Sequence, residues 1–176
     1  LAGEHNRMNA LAAIAASVAA GGELADAEQG LAMLEPVAGR LCPMVGPGGA
    51  RVIDDSYNAN PDSVLAALGV LAAAPGRRTL VLGDLAELGG GARELHRQLG
   101  QHASDHGIER LMTIGEYSRQ AGLAFAGEHH HFADQASLID QLMVGLSAED
   151  SVLVKGSRSA HMERVVERLR EEGGAC

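Results

Sequence analysis

The feature that most constrains this chain is an alternation that begins at residue 51 and runs to the end. Short apolar runs fall at 51–54, 79–82, 111–114 and 151–154, with a weaker one at 129–132. Stretches with helical spacing follow them, at 61–73, 92–106, 117–126, 135–146 and 158–171. In the last of these, Met162, Val165, Val166 and Leu169 recur at the spacing that lines one face of an α-helix. Two parallel strands need a crossover between them, and twisted strands accept a right-handed one. The expected fold is therefore α/β, a Rossmann-like and mostly parallel sheet with helices on both faces. Two helices precede it. One spans 6–20, with Leu11, Ile14 and Val18 on one side and Gly21-Gly22 as its stop; the other spans 26–34 and ends at Pro36. The segment 36–50, rich in Gly and Pro, reads as a linker.

Composition narrows the class. Only 2% of the 176 residues are aromatic and none is Trp, so the core has to be built from Ala, Leu, Val, Ile and Met. A net charge of −9 argues against broad binding to nucleic acid or to an anionic membrane, since either requires a positive surface. No uncharged apolar run approaches the roughly 20 residues that span a bilayer. A signal-peptide pattern is missing too, and the chain opens at Leu1 directly into a helical pattern, which reads as a start inside a longer protein. Cys42 and Cys176 form neither a disulfide framework nor a zinc spacing, so reduced thiols and a cytoplasmic setting are the expectation.

In open parallel sheets, ligands bind beyond the carboxyl ends of the strands. Polar residues collect there: Asp54-Asp55-Ser56-Tyr57-Asn58, Gly83-Asp84, Gly115-Glu116 and Lys155-Gly156-Ser157-Arg158. Neighbouring residues on a strand point opposite ways, so one of Asp54 and Asp55 is expected to face a cleft. Asn60-Pro61 fits an N-cap with Pro in the first helical position. Lys155, Ser157 and Arg158 place two cations and a hydroxyl between a strand and a helix N-terminus, a setting that favours an anion. Asp84 and Glu87 flank a glycine-rich turn and suit loop ordering or contact with a substrate ammonium group. His129-His130-His131 alternate faces and lack a partner at metal-ligand spacing. No G-x-G-x-x-G follows the first strand, and no G-x-x-x-x-G-K-[ST] phosphate loop occurs anywhere.

Five segments resemble the Mur ligases, which build the peptide stem of bacterial cell-wall precursors. Gly3-Glu4-His5-Asn6-Arg7-Met8-Asn9-Ala10-Leu11 is similar to the end of their central ATPase domain, and Gly39-Arg40 to the junction that follows. Ile53-Asp54-Asp55-Ser56-Tyr57-Asn58-Ala59-Asn60-Pro61 looks like the opening of their C-terminal domain. Gly83-Asp84-Leu85-Ala86-Glu87-Leu88-Gly89 and Val154-Lys155-Gly156-Ser157-Arg158-Ser159 complete the set. The resemblance implies three parts: 1–37 as the tail of the central domain, 38–50 as a hinge, and 51–176 as the C-terminal domain. It implies that Asn6 bonds adenine with His5 lining the same pocket, that Arg40 belongs to the interdomain ATP site, and that Asp55 meets the ribose hydroxyls. Tyr57 and Asn58 would shape the loop and the nucleotide edge, while Lys155, Ser157 and Arg158 would serve the substrate carboxylate or an acyl phosphate. The implied substrates are ATP, UDP-N-acetylmuramoyl-tripeptide and D-Ala-D-Ala, with Mg2+ held by residues outside this chain. Since the phosphate loop and the sugar-binding domain are absent, the resemblance also implies that the polypeptide does not ligate unaided. Another Mur-type ligase, a folylpolyglutamate-type ligase and a non-catalytic nucleotide-binding module are the alternatives.

Overall fold

The computed structural model describes residues 3–35 and 37–170. Two helices, α1 (Glu4–Ala19) and α2 (Leu24–Ala32), lead into strand β1 (Cys42–Val45) and strand β2 (Arg51–Asp55). Then follow α3 (Pro61–Ala72), β3 (Arg77–Gly83), α4 (Ala92–Asp105), β4 (Arg110–Ile114), α5 (Ser118–Ala124), β5 (Glu128–Phe132), α6 (Gln135–Met143), β6 (Asp150–Lys155) and α7 (Glu163–Leu169). The strands form one six-stranded sheet in the order β1-β2-β6-β3-β4-β5. All pairs are parallel except β1 with β2.

Side-chain parity divides the molecule into layers. Leu80 and Leu82 of β3, Leu111 of β4 and Leu153 of β6 pack with Val64, Leu68 and Leu71 of α3 and Leu99 of α4. The residues between them, Val81, Met112, Val152 and Val154, turn to the other face and meet Leu138 and Leu142 of α6 and Val165 and Leu169 of α7. The sheet thus has a core on each face, which explains why its central strands read as continuous apolar runs. The expected Rossmann-like α/β architecture is the one found.

Two differences from the sequence reading have physical causes. The segment expected to be a linker contains β1, which joins the sheet antiparallel to β2. Its pattern is short, and Pro43 hides it, although Pro is acceptable on an edge strand where no neighbour needs its missing N–H. The glycines after it make the return turn, and Gly48, at φ 66°, leaves no room for a side chain against the carbonyl of Leu146. Second, the helix expected at 158–171 is split. Arg158–Ala160 is a 3-10 turn, His161 adopts the left-handed conformation (φ 50°, ψ 42°), and α7 begins only at Glu163. Cys42 is wholly buried on β1, while Cys176 lies outside the described residues.

The α1–α2 pair differs from the rest. The two helices pack against each other, but α2 buries no residue, and Met8, Leu11, Val18, Leu24 and Leu34 are all more than two-fifths exposed. Pro36, expected to stop the second helix, lies outside the described residues. Among those residues no helix is long and apolar enough to cross a membrane.

Candidate functional site

The two adjacent aspartates at the end of β2 diverge as strand geometry requires. Asp54 turns its carboxylate back into its own loop, where Oδ1 accepts from Ser56 N (3.1 Å) and Ser56 Oγ (2.6 Å) and Oδ2 accepts from Gly39 N (3.1 Å). Asp55 turns to the opposite side. Its register partner on β6 is Lys155, whose Nζ donates to Asp55 Oδ2 at 2.5 Å and to the Asn58 carbonyl at 3.1 Å. The second Asp55 oxygen accepts the Leu41 N–H at 3.1 Å. Lys155 is only 1% exposed and Asp55 8%. Burial raises the Asp55 carboxyl above its usual range, an effect that the Lys155 charge and hydrogen bond oppose. Burial likewise lowers the Lys155 ammonium, with Asp55 opposing and the nearby positive charge of Arg40 adding to it. Desolvation therefore moves both partners toward neutrality, the mark of a charged pair held out of water.

The segment 39–41 is stapled to this strand end. Tyr57 N donates to the Gly39 carbonyl (3.0 Å), closing a two-way link with the Gly39 N–H bond to Asp54. Gly39 sits at φ 74°, and a Cβ there would stand 2.9 Å from the Tyr57 Cβ, so glycine is required for two reasons at once. Leu41 also has positive φ (49°), strain of the kind that costs on the order of 1 kcal/mol or more in a non-glycine residue. The bond from its N–H to Asp55 accompanies that strain. Between these two residues, the guanidinium of Arg40 lies over the Tyr57 ring, 4.6 Å from its centroid.

These groups border a cleft of about 550 Å³ closed on its far side by α1. Its walls bring together Asn6, Arg40, Asp55, Asn58 and Lys155, five of the residues singled out in the sequence. The side chain of His5 lies outside the described residues. Ser157 and Arg158 do not line the cleft. Ser157 is buried, and both its N–H (2.9 Å) and its hydroxyl (2.6 Å) donate to the Asp84 carbonyl, which ties the β6 end to the β3 end. A 3-10 turn follows in place of the expected α-helix start, and the Ser157 N–H is already used. Arg158 is exposed and turns toward Tyr57, its Cζ 5.8 Å from the ring centroid.

The remaining candidates fill structural positions. Asp84 Oδ1 accepts the N–H groups of Tyr117 (3.0 Å) and Ser118 (2.7 Å), capping α5 from a neighbouring strand end. Glu87 is exposed, at φ 62°. Asn60 and Ser63 form a reciprocal capping box at the start of α3, with Pro61 following. His130 pairs with Glu128 at 3.0 Å and His131 Nδ1 lies 3.0 Å from Thr113 Oγ1.

Sequence reasoning missed three contributors. Asn9 lines the cleft with Asn6, and their i, i+3 spacing on one helix was a usable signal. The Leu41 N–H is a backbone group at an unusual φ, which no residue pattern announces. His96, wholly buried, receives the Leu85 N–H at Nε2 (3.0 Å) while Nδ1 faces the Ala92 carbonyl (2.7 Å), fixing the loop after β3.

Comparison with known proteins gives a consistent picture. A family model for the Mur ligase glutamate ligase domain matches residues 39–158. The UDP-N-acetylmuramoyl-tripeptide–D-alanyl-D-alanine ligase of Escherichia coli is 45% identical over 175 residues, covering 98% of this chain and 38% of that protein. The crystal structure of MurF from Acinetobacter baumannii superimposes with a TM-score of 0.84 at 35% identity, covering 95% of this chain and 37% of the other. MurF ligase from Thermotoga maritima, solved in complex with ADP, superimposes with a TM-score of 0.74 at 26% identity over 88% of this chain and 35% of its own. The chain thus spans well under half the length of the proteins it matches.

Proposed function

Because the chain belongs to the Mur ligase family, we propose that it forms the C-terminal part of an ATP-dependent ligase that joins D-Ala-D-Ala to UDP-N-acetylmuramoyl-tripeptide in peptidoglycan precursor synthesis. The observation that carries this reading is the cleft between α1 and the ends of β2 and β6, where Asn6, Arg40, Asp55 and Lys155 converge. Residues 1–37 belong, in this reading, to the preceding ATPase domain, and 51–176 to the C-terminal domain. Segment 38–50 acts as the hinge, with β1 as the part of it that joins the sheet.

Hydrogen-bonding capacity shows what the residues can still do. A carboxylate has about four acceptor sites, and Asp55 uses two of them, on Lys155 and Leu41; the rest suit the hydroxyls of a ribose. An ammonium has three donors, and Lys155 commits two, leaving one for an anionic oxygen. Asn6 carries an amide that donates and accepts together, as an adenine edge requires. In the whole ligase, ATP would phosphorylate the tripeptide carboxylate, since a carboxylate is a poor electrophile until one oxygen becomes a good leaving group. The D-Ala-D-Ala amine would then attack the acyl phosphate and release phosphate. The part played by this chain is positioning and charge neutralisation at the nucleotide. Among the described residues no group of three or more His, Cys, Asp or Glu could hold a metal, so the Mg2+ that accompanies ATP is assigned no contact here.

Without a phosphate loop the chain is expected to be inactive alone. The test is reconstitution: the chain is combined with the missing N-terminal and central domains, and phosphate release is followed with and without D-Ala-D-Ala. Release that requires both D-Ala-D-Ala and this chain is the expected result. Release indifferent to D-Ala-D-Ala, or none in a mixture shown to associate, refutes the proposal.

A further inference from the structure

Two guanidiniums from distant parts of the chain share one aromatic ring. Arg40, from the hinge, lies 4.6 Å from the Tyr57 centroid, and Arg158, from the turn after β6, lies 5.8 Å from it. Both distances fall within the roughly 6 Å reach of a cation–π contact. Neither cation has a hydrogen-bonded carboxylate partner among the described residues. Among the described residues Arg40 has no ion pair, and Arg158 meets only Glu163, at 3.9 Å and with two-thirds of its side chain exposed. The ammonium of Lys155 lines the cleft close enough to Arg40 for that charge to depress it, but it is already paired with Asp55. The two guanidiniums make a local positive patch on a protein whose net charge is −9, a place suited to an anion.

We propose that Tyr57 is a positioning residue that holds Arg40 and Arg158 as a preformed clamp for a phosphoryl group. The ring supplies what the arginines lack, a common surface that fixes two long side chains in one place before the anion arrives. A guanidinium that stacks on an aromatic face still presents its in-plane N–H fork to an oxyanion, which an ammonium cannot do. The backbone of Tyr57 is itself tied to Gly39, and Gly156 and Ser157 lead from β6 to Arg158, so the ring sits where hinge and strand end meet. This gives Arg158 a task that its distance from the cleft wall would otherwise deny it. The inference deepens the nucleotide reading, on which it rests for the identity of the anion.

The test uses the chain and inorganic tripolyphosphate, by isothermal titration at low ionic strength. Saturable binding is expected, weakened about tenfold in Tyr57→Ala, the effect of losing two exposed cation–π contacts. Tyr57→Phe keeps the ring face and is expected to bind within about twofold of the parent. Arg40→Gln and Arg158→Gln should each weaken binding and flatten its dependence on salt. Absence of saturable binding by the parent chain overturns the proposal, as does unchanged binding in Tyr57→Ala or an equal loss in Tyr57→Phe. Tyr57 is half-exposed, and thermal melts of each variant separate a lost clamp from a lost fold. The titration contains no D-Ala-D-Ala, so a failed reconstitution sinks the ligase reading and leaves the clamp standing; a failed titration does the reverse.

Discussion

Strand β6 carries an ion pair at each end, and the two pairs have opposite characters. At its start Asp150 faces Arg77 of β3, and at its finish Lys155 faces Asp55 of β2; in both cases the partners are register neighbours across a parallel ladder. The lower pair keeps one foot in water, with Arg77 46% exposed and Asp150 2%. Burial alone would raise the Asp150 carboxyl, but hydrogen bonds from Arg77 and from Ser147 N–H and Oγ outweigh it, and the group ends below its usual range. The upper pair is withdrawn on both sides, its side chains 2% and 12% exposed, and there desolvation prevails. The same chemistry therefore anchors the fold at one end and stores an electrostatic cost at the other. A cost of that kind at the wall of a cleft points to use, because a lysine needed only for stability would be better left in solvent.

The sharpest way to break this comparison is to remove one member of the upper pair. Asp55→Ala leaves an uncompensated buried ammonium and is expected to lose about 3–5 kcal/mol of unfolding free energy, read from urea denaturation. The double variant Asp55→Leu, Lys155→Met removes both charges and should recover most of that loss while abolishing reconstituted ligation. A single variant that costs less than about 1 kcal/mol would mean that water reaches the pair, and the contrast with Arg77–Asp150 would collapse.

A smaller effect is expected at Asp84, at the same carboxyl end of the strands but outside the cleft. Its carboxylate holds the first amides of α5, and Asp84→Ala should cost about 1–2 kcal/mol, the usual range for a lost cap. Amide exchange at Tyr117 and Ser118 should accelerate more than exchange in the central strands. If the loss instead appeared in D-Ala-D-Ala dependence with stability intact, Asp84 would belong to the substrate site and the functional edge would be wider than the cleft.

Much of this was legible in the residues. The central strands were readable because both faces are buried, which leaves an unbroken apolar run, and the opposed fates of Asp54 and Asp55 followed from strand parity. The cleft members Asn6, Arg40, Asp55, Asn58 and Lys155 were found through motif resemblance, since no spacing rule joins residues so far apart. What stayed hidden has physical reasons. Strand β1 lies in a Gly- and Pro-rich stretch whose pairing is decided by its neighbour β2 and not by its own propensity. The Lys155–Asp55 bond spans 100 residues and depends on β6 inserting between β2 and β3, a topological fact. Ser157 reads as a ligand from the helix start expected after it; the left-handed His161 delays that helix, and the hydroxyl donates to the Asp84 carbonyl. The resemblance gives Tyr57 a part in shaping the loop, but its two arginines meet only once the sheet is assembled.

The least effect is expected at the lower pair, where pH rather than mutation alone gives the decisive reading. Asp150 has a folded pKa below its unfolded value of about 4, so its contribution is fully present above that unfolded value. It is lost progressively as pH falls through the folded pKa, because the unfolded chain takes up the proton first. Asp150→Asn removes the titrating group while keeping a side chain that can still accept from Ser147 and Arg77. At pH 7 the variant should be less stable by about 1 kcal/mol, as befits a pair with an exposed partner. Between about pH 5 and pH 2 that deficit should shrink toward zero, since the parent then loses what the variant never had. A deficit that stayed constant across this range would assign the contribution of Asp150 to packing, and the two ends of β6 would differ in burial without differing in electrostatics.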